Sequence, residues 1–151
     1  MRGWLLAGLL LCAGPSFADE PGLRLPERAR PGARLLSDGL VYGQVAWDTV
    51  HSVREDDRKS AFISQGCRMG VAIGSTLLLK NLIPRDRPDH SNQYSFPSGH
   101  SANSMAASRG TRLGVFISLG TGTLRELSGR HYWTDVMAGW GVGLLAMKVC
   151  P

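Results

Sequence analysis

Cysteine is scarce, with three in 151 residues, too few for a small scaffold held together by disulfides. Runs that alternate apolar and polar residues over a strand's length are absent, which argues against a sheet. No internal repeat is present, so solenoid and array folds fall away. Lysine is nearly missing, with three against 14 arginines. Charged residues make up 19% and aromatics 7%, a mixture unlike a disordered acidic or basic tail. No uncharged apolar run reaches the ~20 residues that span a bilayer. The longest candidate, 61–79, contains Arg68 and three glycines.

What is present suits one domain with one core. The net charge of +5 is carried mainly by arginine, whose planar fork favours bidentate contact with oxyanions. A phosphate, carboxylate or nucleic-acid partner therefore has to be weighed. Nucleic acid fits the pI of 9.6 but not the absence of a basic stripe, and it ranks last.

Residues 1–18 read as a secretory signal peptide. Arg2 supplies the positive start, Trp4 to Cys12 the apolar stretch, and Ser16-Phe17-Ala18 the small residues before a cleavage site. The expected location is therefore beyond the cytoplasmic membrane, in the periplasm, with membrane association left open. Residues 19–37 are rich in proline and arginine and read as a linker, more naturally a solvated arm than one resting on an anionic membrane. In an oxidising compartment Cys67 and Cys150 either pair or stand as a buried thiol and a loose terminal one.

Residues 38–151 read as a single all-α domain, a compact bundle of about five helices. The expected segments run from a Ser37 cap to Val53, from Ser60 to Leu82, from a Ser98 cap to about Arg109, from Thr111 to Ser128, and from a Thr134 cap to about Met147. Pro84, Pro88 and Pro97 enforce a non-helical connection between the second and third. A soluble or peripherally bound bundle is the expectation.

Three motifs carry chemistry only when taken together. Lys80 at a helix end is followed by a proline-pinned loop with Arg85 and Arg87-Pro88. Pro97-Ser98-Gly99-His100 opens a helix whose free N–H groups suit an anion. Arg125 ends a helix, His131 follows a glycine-broken turn, and Asp135 enters the next helix four residues on. Each has a bland alternative: a solvated basic turn, an ordinary cap with a surface histidine, a first-turn carboxylate favoured by the helix dipole.

Lys-x6-Arg-Pro, then Pro-Ser-Gly-His, then Arg-x5-His-x3-Asp resembles the type 2 phosphatidic acid phosphatase (PAP2) superfamily, which also holds bacterial acid phosphatases and vanadium haloperoxidases. Leu124 stands where that family usually has serine. The connection from His100 to Arg125 is shorter than the two long helices usual there, so the resemblance implies a trimmed bundle.

The resemblance implies a metal-independent phosphatase acting on a phosphomonoester or lipid (pyro)phosphate. His131 is the expected nucleophile, Asp135 its orienting carboxylate, and His100 the acid and then the base. Lys80, Arg87, Arg125, Ser98 and Gly99 are expected to hold the phosphate. No cofactor is implied, and vanadate is expected to inhibit. Both imidazoles must face one phosphorus atom, and a mildly acidic to neutral pH optimum follows.

Arg85 and Arg130 either steer anionic substrate or are ordinary surface residues, the second being preferred. Tyr132, Trp133 and Trp140 either line an apolar entry for a lipid chain or pack in the core. A haloperoxidase is disfavoured by the short chain. A non-catalytic protein that binds an anion or lipid head group is the rival from another class, and turnover separates it from an enzyme.

Overall fold

The computed structural model describes residues 22–150; the expected signal peptide lies outside them. Among these residues a 3-10 turn, Glu27–Ala29, leads into five helices: α1 (Arg30–Arg54), α2 (Arg58–Leu82), α3 (Gly99–Ala107), α4 (Arg112–Leu127) and α5 (Trp133–Val149). Among the described residues there is no strand, only an isolated bridge between Arg85 and Tyr94 in the α2–α3 loop. The fold is all-α, as expected.

Most boundaries follow local chemistry. Asp57 Oδ1 accepts the Ser60 N–H at 3.1 Å to open α2. Thr111 Oγ1 does the same for Gly114 at the start of α4, also at 3.1 Å. Gly129, at φ +72°, takes the left-handed turn between α4 and α5 that a side chain would resist.

Two boundaries correct the sequence reading. Helix α1 begins at Arg30, so residues 30–37 of the supposed linker are helical. Pro31 falls in the first turn, where its missing N–H costs nothing. Ser37 is therefore no cap: it is buried, and its hydroxyl donates to Arg34 O at 2.8 Å. Helix α5 is capped at Tyr132 rather than Thr134, because Asp135 Oδ2 accepts the Tyr132 N–H at 2.9 Å.

The short α3 lies in the middle and touches all four other helices. Its neighbours come close because the contact residues are small: Ala72, Ala106 and Ala146 meet at the centre. A Cβ on Gly143 would fall 2.5 Å from Met105 Cβ, and one on Gly139 would fall 2.4 Å from Ser98 O. Glycine at both positions lets α5 lie against α3 and against the start of the Ser98 turn.

Polar groups share this interior. Gln44 Nε2 donates to Gly114 O at 2.8 Å, and Ser104 Oγ donates to Gln44 Oε1 at 2.6 Å. At the end of the bundle formed by the α1–α2 and α3–α4 turns, fully buried Asp48 accepts from Arg68 and Arg109, each at 3.1 Å. Arg109 also pairs with Glu55. Cys67 and Cys150 form a disulfide with Cα atoms 5.7 Å apart, which settles the open alternative.

The large apolar side chains are mostly on the outside. Leu35, Trp47 and Val53 of α1, Ile63, Leu77 and Leu78 of α2, Leu113 and Phe116 of α4, and Met137 and Leu144 of α5 are all exposed. No exposed charge interrupts α2 between Lys59 and Lys80, because Arg68 is buried. By length and composition α2 can cross a membrane, and only 22% of its apolar window is buried. Charged residues gather instead at the two ends of the bundle.

Candidate active site

The loop from Ile83 to Ser98 is folded back on itself by backbone bonds. Arg85 N donates to Gln93 O at 3.0 Å, and Ser95 N donates to Arg85 O at 3.0 Å. Lys80 Nζ pins the same loop, donating to Tyr94 O and Pro97 O, both at 2.7 Å. The loop thereby brings Arg85, Arg87 and Ser95 against the start of α5.

His131 is 2% exposed. Its Nδ1 lies 2.8 Å from Ser95 O. A carbonyl can only accept, so Nδ1 carries the hydrogen and the Nε2 lone pair is free. Burial, reinforced by Arg125 and Arg87 and opposed by Asp135, pushes the His131 pKa down to about 4. The ring is therefore neutral at physiological pH.

Asp135 is fully buried, but its oxygens are mainly engaged elsewhere. Oδ1 accepts from Arg85 at 2.5 Å, and Oδ2 accepts from Ser95 Oγ at 2.6 Å and from Tyr132 N. Its distance to His131 Nδ1 is 3.8 Å. The direct orienting contact on His131 is thus the Ser95 carbonyl, with Asp135 one bond further back. Arg85 also donates to Thr134 Oγ1 at 2.8 Å and lies over the Tyr132 ring. It braces α5 through Nη1, while its Nη2 is buried without a protein partner.

His100 is half-buried in the first turn of α3. Its Nε2 meets Asp38 Oδ1 at 2.8 Å, and the same oxygen accepts from Arg125 Nη1 at 2.8 Å. Arg125, 5% exposed, also reaches Ser37 Oγ at 3.3 Å. Burial and the nearby Arg125 push the His100 pKa down to about 4, against the upward pull of Asp38.

These groups surround a pocket of about 360 Å³ lined by Arg34, Asp38, Tyr42, His100, Arg125 and Arg130. Arg34 and Arg130 converge on Asp89 Oδ2, each at 3.1 Å. Burial pushes the Asp89 carboxyl up, but its bonds to Ser91 and Arg130 outweigh this and leave it below the ordinary carboxylate range. Arg87 donates to Asn92 at 2.8 Å, and burial beside Arg130 holds its pKa down. Several guanidinium nitrogens are buried without a protein partner: Nε of Arg34, Arg125 and Arg130, and Nη1 of Arg87. Unpaired buried N–H donors of this kind are what an oxyanion satisfies.

The expected site residues are thus drawn to one end of the bundle, with two differences. His131 lines a separate cavity of about 220 Å³ with Pro88, Glu126, Tyr132 and Trp133, so the two imidazoles open onto different cavities. Arg87 and Arg125 both disfavour the protonated form of each ring. Ser98, fully buried, is a helix cap whose Oγ accepts from Ser101 Oγ at 2.9 Å, while Gly99 is half-exposed beside it.

Of the aromatics, Tyr132 and Trp133 line the His131 cavity. Trp140 ties α5 to α4 through Ser118 O at 3.1 Å. Arg34, Asp38, Asp89 and Ser95 have no signal in the motifs. Among the described residues, no three His, Cys, Asp or Glu side chains are placed to share a metal ion.

Comparison with known proteins supplies the class: the chain is a phosphatase. It is 32% identical, over 135 residues, to decaprenylphosphoryl-5-phosphoribose phosphatase from two strains of Mycobacterium tuberculosis, CDC 1551 / Oshkosh and ATCC 25618 / H37Rv. The match covers 76% of this chain and 76% of each relative. The chain belongs to the decaprenylphosphoryl-5-phosphoribose phosphatase family. No protein-family model matches it, and no solved structure matches it significantly.

Proposed function

We propose that this phosphatase is of the PAP2 type and cleaves a lipid-borne phosphomonoester through a phosphohistidine. The observation that carries the reading is His131: neutral, buried, with Nδ1–H held by Ser95 O and Nε2 left as the nucleophile, near Arg87 and Arg125. For one phosphoryl group to meet both imidazoles, the 360 Å³ and 220 Å³ cavities have to join when substrate binds, with Arg87 and Arg125, which bear on both rings, beside it. Nε2 attacks phosphorus as the bond to the ester oxygen breaks, and His100, protonated once the bound phosphate's negative charge offsets the surrounding guanidiniums, gives that oxygen a proton. His100 then takes a proton from water, the hydroxide attacks phosphorus, and the P–N bond breaks to free phosphate and neutral His131. The cations offset the charge spread over the equatorial oxygens.

The relatives' name joins a decaprenyl chain, a phosphoryl group and a 5-phosphoribose, which supports a substrate with a hydrocarbon tail. The outward apolar faces support a membrane setting: with leucine, isoleucine and phenylalanine outside and alanine, glycine and serine inside, the helices suit lipid as a surrounding medium. We place the bundle in the membrane with the site at its surface on the outer, periplasmic side. This reading differs from the soluble or peripherally bound bundle that run lengths suggest.

The test is a panel of p-nitrophenyl phosphate, phosphatidic acid and a polyprenyl phosphate in detergent, with EDTA and with vanadate. EDTA should leave turnover intact and vanadate should suppress it. His131→Ala should abolish turnover while vanadate binding to a folded protein persists at reduced affinity. Full activity in His131→Ala would falsify the assignment, and phosphate binding without turnover would favour a head-group-binding protein.

A further inference from the structure

Asp38 lies on α1, outside all three motifs and 62 residues before His100 in the chain. One of its oxygens nevertheless receives both His100 Nε2 and Arg125 Nη1, each at 2.8 Å. Its side chain is 40% exposed and forms one wall of the 360 Å³ pocket. An acceptor on Nε2 determines the tautomer of a neutral imidazole: the hydrogen sits on Nε2, and Nδ1 carries the lone pair. Nδ1 then becomes the nitrogen that can exchange a proton with a bound ligand.

The charges bearing on His100 make this contact matter. Arg125 from α4 and Arg87 from the α2–α3 loop both disfavour a protonated ring, as does burial. Arg34 of α1 and Arg130 of the α4–α5 turn line the same pocket. Asp38 is the anion in direct contact that opposes them.

We propose that Asp38 is a positioning residue for His100, holding Nε2–H so that Nδ1 delivers a proton to the leaving oxygen and later accepts one from water. The inference rests on the phosphohistidine reading. Asp38 stabilises the imidazolium that donates, and it keeps the neutral ring in the tautomer that can accept. No covalent bond to Asp38 forms.

Leaving groups provide the test. An alkoxide needs a proton to depart, whereas p-nitrophenolate leaves without one. Octyl phosphate and p-nitrophenyl phosphate are compared by kcat/KM, which reports the step that phosphorylates His131, in wild type, Asp38→Asn and Asp38→Glu. Asparagine keeps an acceptor of the same shape and removes the charge.

Asp38→Asn should lower kcat/KM for octyl phosphate on the order of 100-fold, within the range that a general acid contributes. The p-nitrophenyl phosphate value should change by less than about 3-fold, because that leaving group needs no general acid. The alkaline limb of the octyl phosphate profile should move to lower pH, and Asp38→Glu should restore part of it. Equal losses on both substrates, or none on either, would overturn the proposal. His131→Ala run on the same pair separates the two ideas: if it keeps wild-type rates, the phosphohistidine reading itself has failed, whatever Asp38→Asn does.

Discussion

His131 and Asp135 are both buried, yet the closest approach of the imidazole to the carboxylate is 3.8 Å, while the Ser95 carbonyl oxygen is 2.8 Å from the same nitrogen. The four-residue spacing brings them near one another but does not join them. The carboxylate is held instead by Arg85, Ser95 Oγ and the Tyr132 N–H. The tautomer of His131 is thus held by the loop that precedes α3.

Arg85 is expected to matter for stability before it matters for substrate capture. Arg85→Met leaves Asp135 buried without its counter-charge, and losing one partner of a buried pair costs about 3–5 kcal/mol. Denaturant unfolding in detergent should register that loss. If Arg85 merely steered substrate, stability would be unchanged and kcat/KM alone would fall, more so at low salt.

The pH dependence of stability has a defined sign. His131 and His100 have folded pKa values of about 4, below the ~6.5 of an unfolded histidine. A depressed pKa contributes stability that is fully present above about 6.5 and is lost as pH falls towards 4, because the unfolded chain takes up protons first. Unfolding midpoints should therefore drop across pH 6.5 to 4, and His131→Gln should flatten the curve over that window. A rise in stability through the same window would contradict the neutral, buried His131.

The Cys67–Cys150 disulfide closes a loop with a sequence separation of 83, and loop-entropy arguments give such a closure about 4 kcal/mol. Reduction, or Cys67→Ser with Cys150→Ser, should lower the unfolding temperature by roughly 10–15 °C. Activity at 25 °C should survive, because neither cysteine belongs to the site. Loss of activity in a protein that remains folded would tie the disulfide to the site directly.

If the outward apolar faces lie in lipid, the protein should stay with the membrane fraction after an alkaline carbonate wash. Leu77 and Phe116 are 56% and 74% exposed, so Leu77→Arg and Phe116→Arg should be tolerated in a water-soluble bundle. In a bilayer each costs about 2.5–3.5 kcal/mol at mid-depth and should reduce the amount inserted. Recovery of the wild type in the soluble fraction would remove the membrane from this account.

Much of the helical layout was legible in the sequence, because caps and breakers act over a few residues. Ser98 and Thr111 mark two helix starts in the chain itself, and the proline run from 84 to 97 cannot be helical; α2 starts at Arg58, two residues before the expected Ser60, because Asp57 caps it. The start of α1 was not legible. Proline and arginine in residues 26–34 resemble a linker until Pro31 is seen to occupy a first turn, where it is harmless.

The local order of Lys80, Arg87, His100, Arg125, His131 and Asp135 was determined by sequence alone, since motif spacing is a property of the chain. Which atoms those residues touch was decided only by the tertiary structure. Asp38 reaches Arg125 across 87 residues, and Ser95 reaches His131 across 36; no local pattern encodes either contact. The placement of large apolar residues outside and small ones inside was hidden for the same reason. A helix's hydrophobicity can be counted along the chain, but which face meets its neighbours depends on where those neighbours pack.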